Sequence, residues 1–284
     1  QNWMLYGASG YTGRLTAREA AAGGLQPVLA GRNAAKIEPL AKELRCEYRA
    51  FGLDSAPEIA AALQGVAAVL HCAGPFSATA APMMEACLAA GVHYLDITGE
   101  IEVIESANCR HDRALAAGIA ILPAVGMDVV PSDCLAARLA EALPRAVRLE
   151  LAFGGMASVS HGTAATIWEN IGRGGRIRQD GRIVRVPAAW KVQEIPFPRG
   201  PQWAMTIPWG DVASAFYTTG IPNIEVYAAV PARQLAVLRR FRWMARLAGI
   251  GVVQSLGRRW IDRRIKGPDE AELTRGRTKF WGRV

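Results

Sequence analysis

Gly7-Ala8-Ser9-Gly10-Tyr11-Thr12-Gly13 sets three glycines three residues apart, after a short apolar run (3–7) and before an alanine-rich stretch (12–22). Glycines so spaced let the backbone turn tightly and approach an anion, which then rests on the N–H groups of a helix start. A bare glycine triplet is a weak signal, and this one reads G-x-x-G-x-x-G rather than G-x-G-x-x-G. Its place at the first turn of a strand–helix series makes it specific. Gly7, Ser9, Gly10, Tyr11, Thr12 and Gly13 are therefore expected to hold a dinucleotide pyrophosphate; the bland alternative is a tight turn without a ligand. An acid at the end of the second strand would bind a ribose 2′-hydroxyl. This chain reads Ala30-Gly31-Arg32-Asn33 there, with Lys36 one turn on. Arg32 suits a 2′-phosphate, so NADP is the expected cofactor, with Asn33 counted in its site. The bland readings are a solvated charge for Arg32 and a helix cap for Asn33.

In an open α/β sheet the chemistry lies at the carboxyl ends of the strands. That rule ranks His71, Asp96, Glu100 and Asp128 as candidate catalytic groups. It places the turn Cys72-Ala73-Gly74-Pro75 against the cofactor. His71 is a candidate proton donor, or else a satisfied buried histidine. Asp96 and Glu100 are candidates for acid–base work, or else hydrogen-bonded scaffolding. Ser132 reads as an N-cap, and Asp133 as a complement to a helix dipole. His93 starts its strand and is read as structural. No metal site is expected. Cys46, Cys72, Cys87, Cys109 and Cys134 form no C-x-x-C pair, so they are read as reduced, buried thiols.

The elements that must position these residues alternate strand and helix. Strands are expected at 3–7, 27–30, 46–51, 66–72, 92–97 and 119–125, with helices between them, including one over 102–117. Unalternating apolar strands imply a parallel sheet covered on both faces. After Pro144 the rhythm changes to strands at 146–153, 182–186, 190–195, 204–207 and 225–230, mostly without helices. Asp180-Gly181 signals a hairpin there. A helix is expected over 163–171. The fold class is α/β: a Rossmann-type doubly wound parallel sheet, then a second α+β domain with a mainly antiparallel sheet. The domains are expected at 1–145, 146–231 and 232–284, the last basic and helical.

The 284 residues are 51% hydrophobic and 20% charged, which excludes disorder. No apolar run reaches the length of a bilayer span. The start carries no secretory signal, so a cytoplasmic location is expected. The net charge is +8, yet residues 233–266 alone carry ten basic residues against Asp262. The remainder sums to −1, so no broad nucleic-acid footprint exists. The apolar run 247–256 is too short to span a bilayer. With its flanking arginines, segment 239–264 can lie on anionic lipid, pack in a homodimer, or pack on the second domain.

Taken together, several strings resemble the saccharopine dehydrogenase-like oxidoreductases, and within them the branch described as trans-acting enoyl reductases. They are Tyr6-Gly7-Ala8-Ser9-Gly10-Tyr11-Thr12-Gly13, Cys72-Ala73-Gly74-Pro75-Phe76, Tyr94-Leu95-Asp96-Ile97-Thr98-Gly99-Glu100 and Gly126-Met127-Asp128-Val129-Val130-Pro131-Ser132-Asp133. Gly172-Arg173-Gly174-Gly175, Pro208-Trp209-Gly210-Asp211 and Thr219-Gly220-Ile221-Pro222-Asn223 extend the likeness through the second half. The resemblance implies an NADP-binding Rossmann domain with a second domain over the nicotinamide. It also implies a further segment after Val284, so the chain reads as truncated relative to the family.

The leading expectation is an NADPH-dependent reductase of an activated double bond, such as an enoyl group on a lipid or polyketide, as a small molecule or carrier-bound. The alternatives are a saccharopine-type dehydrogenase of imines or secondary amines, and a non-catalytic NADP-binding sensor or scaffold. A cysteine-dependent semialdehyde or acyl-phosphate reductase built on Cys134 ranks below these. His161, Thr163, Trp209 and Asp211 are read as candidates for the substrate side. Arg173, Arg176, Arg178, Arg182 and Arg185 read first as a solvated basic loop. The sharper reading is a dock for an acyl carrier protein or its phosphopantetheine arm.

Overall fold

The computed structural model describes residues 2–155, 168, 174–232, 235, 255, 257, 259–261 and 277–284. They divide into two compact units, Gln1–Asp128 and Val129–Val284. The expected helix over 163–171 falls almost wholly outside the described residues, as do His161, Thr163 and Arg173. Of segment 239–264, only Ser255, Gly257 and residues 259–261 are described. Among the described residues no helix is long and apolar enough to cross a membrane.

The first unit is a six-stranded sheet of β1 (Trp3–Tyr6), β2 (Val28–Gly31), β3 (Tyr48–Ala50), β4 (Ala68–His71), β5 (His93–Asp96) and β6 (Ile121–Leu122). The spatial order is β3-β2-β1-β4-β5-β6, and every pairing is parallel. Its apolar strands feed two cores. Met4 and Tyr6 of β1 pack with Val28, Val69 and Tyr94 on one face. Leu5 packs with Leu29, Ile37 and Leu40 on the other. A strand buried on both faces needs no alternation, which is why these segments read as continuous apolar runs.

Helices α1 (Tyr11–Ala22), α2 (Ala34–Leu44), α3 (Ala56–Ala62), α4 (Phe76–Ala90), α5 (Ile101–Asn108) and α6 (His111–Ala117) make the connections. The single helix expected over 102–117 is two. The Arg110 guanidinium donates to the Ser106 carbonyl at 2.7 Å, while the Arg110 N–H turns to Ala107. A side chain thus replaces the backbone donor and ends the first helix. Strand six is shorter than expected, because the chain turns at Ala124, whose φ is +62°.

The second unit holds α7 (Val130–Ala142), β7 (Arg148–Gly154), β8 (Gly175–Gln179), β9 (Arg182–Val186), β10 (Val192–Phe197), β11 (Gly200–Thr206), α8 (Asp211–Thr219), β12 (Asn223–Ala229) and β13 (Lys279–Arg283). Its seven strands follow the path β10-β11-β12-β7-β13, with β8 and β9 attached through β12. All pairings are antiparallel except β12 with β7. The expected hairpin forms at Asp180-Gly181, with φ of +49° and +76°. Beyond β8, the first strand of that hairpin, two elements here were not expected: β13 and α8. Helix α7 falls in this unit although the sequence rhythm places it before residue 145. Asp133 accepts hydrogen bonds from Ser214 at 2.9 Å and Thr218 at 2.6 Å, which ties α7 to α8.

Candidate active site

The order of the first sheet reverses between β1 and β4, and a crevice opens at the carboxyl ends of strands flanking such a reversal. Gly7 leaves β1 there, and the 72–75 loop leaves β4. Gly7 adopts φ of +88°, and a Cβ on it would stand 2.8 Å from the backbone of both Cys72 and Ala73. A Cβ on Gly13 would stand 2.2 Å from the Gly7 carbonyl oxygen. Only hydrogen fits at either position, so strand end, loop and helix start interlock backbone to backbone. Gly10 precedes α1 and donates its N–H to the Gly7 carbonyl at 2.9 Å. It has no side chain to cap α1, which leaves first-turn N–H groups facing out of the helix. A helix start that presents backbone donors fits a pyrophosphate. Ser9, Tyr11 and Thr12 are half-buried around it.

Arg32 is exposed at the carboxyl end of β2. Asn33 beside it caps α2, its side chain accepting from the Lys36 N–H at 3.3 Å. Asn33 therefore has a structural role whether or not it also borders the nucleotide.

The four candidate catalytic groups sit in different environments. Asp96 is fully buried. Its Oδ1 accepts from the N–H groups of Thr98 at 2.9 Å and Ala124 at 2.8 Å, and its Oδ2 accepts from the Tyr94 hydroxyl at 2.7 Å. Burial pushes its pKa up, against the pull of these bonds. Three donors hold the carboxylate in place, and it ties the end of β5 to the turn after β6. Glu100 is also buried. Its two oxygens accept from the N–H groups of Phe76 at 3.0 Å and Ser77 at 2.8 Å. Pro75 offers α4 no side-chain cap, so Glu100 caps that helix from the next loop. The link between the two acids is Thr98, whose hydroxyl accepts from the Glu100 N–H at 3.0 Å. Asp96, Thr98 and Glu100 thus form a zipper of side chain to backbone bonds along the strand exit.

His71 is fully buried, and its Nε2 lies 3.0 Å from the Thr79 hydroxyl. Burial pulls its pKa down to about 3, so the ring is neutral. Cys72 is half-buried, and burial together with the Asp96 charge pushes its thiol up to about 12, which removes it as a nucleophile. Asp128 differs from all of these. It is partly exposed, its Oδ2 would lie 3.5 Å from a Cβ on Gly99, and burial pushes its pKa up to about 6.

The remaining expectations divide. His93 accepts from the Ala120 N–H at 2.9 Å and is structural, as read from its position. Ser132 is not an N-cap. Val129 holds that place, and the Ser132 hydroxyl donates to its carbonyl at 3.0 Å. Cys109 and Cys134 are exposed, unlike the buried thiols expected. In the second unit Asp211 is fully buried at the start of α8, and the Trp209 ring lies 4.8 Å from that of Phe153. The arginines do not form one solvated loop. Arg182 and Arg185 are exposed, but Arg176 and Arg178 are buried. Arg178 donates to the carbonyls of Val212 and Gly181, both at 2.8 Å, and stacks 4.2 Å over Phe216.

Sequence reasoning missed a second charged cluster. Glu150 and Glu225 stand side by side in register on β7 and β12, both buried. Arg148 bridges them at 2.8 and 3.2 Å. Lys191 and the Tyr227 hydroxyl reach Glu225 at 2.5 and 2.6 Å, and Arg283 of β13 reaches Glu150.

Residues 3–122 match the saccharopine dehydrogenase NADP binding domain family. A trans-acting enoyl reductase of Mycobacterium leprae is 34% identical over 138 residues, which cover 46% of this chain and 33% of that protein. A trans-acting enoyl reductase of Mycobacterium tuberculosis is 32% identical over 140 residues, with the same coverage. The matches thus span a third of those relatives' length. Among solved structures, saccharopine dehydrogenase (L-Glu forming) from Saccharomyces cerevisiae superposes with a TM-score of 0.61 at 13% identity. That superposition covers 97% of this chain and 70% of the yeast one, and it shows a shared fold.

Proposed function

We propose that the chain is an NADPH-dependent reductase of an enoyl group on a lipid or polyketide intermediate, since residues 3–122 match the saccharopine dehydrogenase NADP binding domain family. The observation that carries the cofactor half is the interlock of Gly7 and Gly13, followed by Arg32 in place of an acid after β2. The substrate half rests on the relatives, whose names are those of trans-acting enoyl reductases. Bound NADPH would supply the hydride. The chain's own part is to orient the nicotinamide, exclude water and deliver the matching proton. Asp128 is the proposed proton donor, because its carboxyl retains a proton close to neutral pH. Asp96 and Glu100 act as positioning residues, since backbone N–H groups and the Tyr94 hydroxyl occupy their oxygens. Exposed Arg182 and Arg185 offer cationic contacts to the phosphate of a phosphopantetheine arm or to an acidic carrier.

Energy transfer from tryptophan to the nicotinamide measures the first half of this reading. Arg32→Ala should weaken NADPH about tenfold or more, the loss of one charge-assisted contact, and leave NADH unchanged. Equal losses for both nucleotides would defeat the NADP assignment. Oxidation of NADPH with enoyl-pantetheine thioesters tests the second half. Reaction with imines in place of enoyl thioesters would favour the dehydrogenase alternative. Tight NADPH binding with neither class of substrate would favour the sensor or scaffold. In the active enzyme, kcat/KM should fall as pH rises through about 6, because the protonated form of Asp128 is needed. Asp128→Asn should remove that limb and lower kcat roughly a hundredfold.

A further inference from the structure

We infer that His71 and Thr79 form a buried, uncharged brace that sets the 72–75 loop against Gly7, making both of them positioning residues for the nucleotide. The inference rests on the NADP reading above and assigns His71 a role other than proton donor.

Thr79 stands in the second turn of α4. Its hydroxyl lies 2.7 Å from the Ala73 carbonyl oxygen and 3.1 Å from that of Pro75. The bond to Pro75 runs within the start of the helix and leaves the loop free. The shorter one folds back onto the loop itself. A hydroxyl has one proton, and it is committed to these carbonyls. Toward His71, 3.0 Å away, Thr79 can therefore only accept. This makes the ring the Nε2–H tautomer and leaves Nδ1 as a bare acceptor, buried with no partner among the described residues.

The ring itself is wedged. Its centroid lies 5.3 Å from that of Tyr6, 5.4 Å from that of Phe76 and 6.1 Å from that of Tyr94. An aromatic box around a neutral imidazole holds the donor still. The hold passes from β4 through the ring to Thr79 and from Thr79 to Ala73. From there it reaches Gly7, because the Ala73 amide nitrogen lies 2.8 Å from where a Gly7 Cβ would be. Gly7 in turn accepts from Gly10 at the start of α1. The brace thus fixes Ala73, whose carbonyl Thr79 holds and whose amide nitrogen packs against Gly7. No group in it changes charge near neutral pH, so its hold is constant where Asp128 titrates.

The test is NADPH affinity across five variants of the whole chain, with thermal melting run alongside. Thr79→Val keeps shape and removes the hydroxyl, and should raise Kd about tenfold. Thr79→Ser should restore affinity to within about twofold. His71→Leu should also weaken binding, and the double variant His71→Leu/Thr79→Val should be no weaker than Thr79→Val alone, since His71 acts through Thr79. His71→Gln, which can present a donor in place of Nε2, should bind better than His71→Leu. A folded Thr79→Val with unchanged Kd would overturn the brace, as would fully additive losses in the double variant. Failure of the unsubstituted chain to bind NADPH would instead defeat the parent reading.

Discussion

Buried carboxylates in the two units are satisfied in opposite ways. In the first unit Asp96 and Glu100 take their hydrogen bonds from backbone N–H groups and one tyrosine hydroxyl. In the second, Glu150 and Glu225 take theirs mainly from Arg148, Lys191, Arg283 and Tyr227. The contrast follows from what each must hold. Backbone donors lie within a few residues of a strand exit, so a short carboxyl side chain can lock a loop there. Long cations reach across strands, so they suit stitching a sheet of strands distant in sequence. A rim that holds an anionic nucleotide, as proposed, would also gain from the first arrangement. Its carboxylates are hydrogen-bonded without fixed cations that would bind the phosphates in the wrong place.

The largest effect tests whether the rim is set by backbone contact. Gly13→Ala puts a methyl group 2.2 Å from a carbonyl oxygen, and no rotamer can relieve that clash. It should cost on the order of 3 kcal/mol and abolish NADPH binding. A stable Gly13→Ala chain that still quenches with NADPH would break the comparison. The second unit is sharpened by Glu225→Gln, which should cost about 1–2 kcal/mol at neutral pH, since its cationic partners are half exposed. Burial alone would raise the Glu225 pKa, but Lys191, Tyr227 and Arg148 together lower it. Its stabilisation is therefore complete above the ordinary glutamate range and is lost as pH falls through the lowered value. Melting curves against pH should show native and Glu225→Gln proteins converging in acid. The smallest change is Glu100→Gln. One acceptor oxygen survives, and the charge at the start of α4 is lost. About 0.5–1 kcal/mol is expected, read as a shift in melting temperature.

The Rossmann half was legible because its signals are local. Apolar runs, an Asn cap at α2 and glycines at the helix ends announce each element. The roles of its acids were less so. Asp96 and Glu100 look identical on paper to acid–base residues, because a spacing of two shows only that they share a strand exit. What distinguishes them is the N–H groups of Ala124, Phe76 and Ser77, one of which sits 28 residues from its partner. Thr79 carried no signal beyond its place in a helix. In the second unit α8 was overlooked although Asp211 in its first turn and Gly220 at its end are start and stop marks; its β-branched and aromatic residues masked them. Strand β13 owes its form to pairing with β7, more than 120 residues earlier, which no local window contains.

Arg32 stands outside the interlock of Gly7, Gly13 and Ala73: it is exposed, and its neighbour Asn33 serves α2 rather than the glycine loop. With Arg32 reading the 2′-phosphate as proposed, the choice of nucleotide is separable from the act of gripping one. Drift or engineering can rewrite preference at residue 32 without rebuilding the machinery beneath it, whereas any change at the interlock is punished at once. Such a scaffold can change redox currency cheaply while its architecture stays frozen.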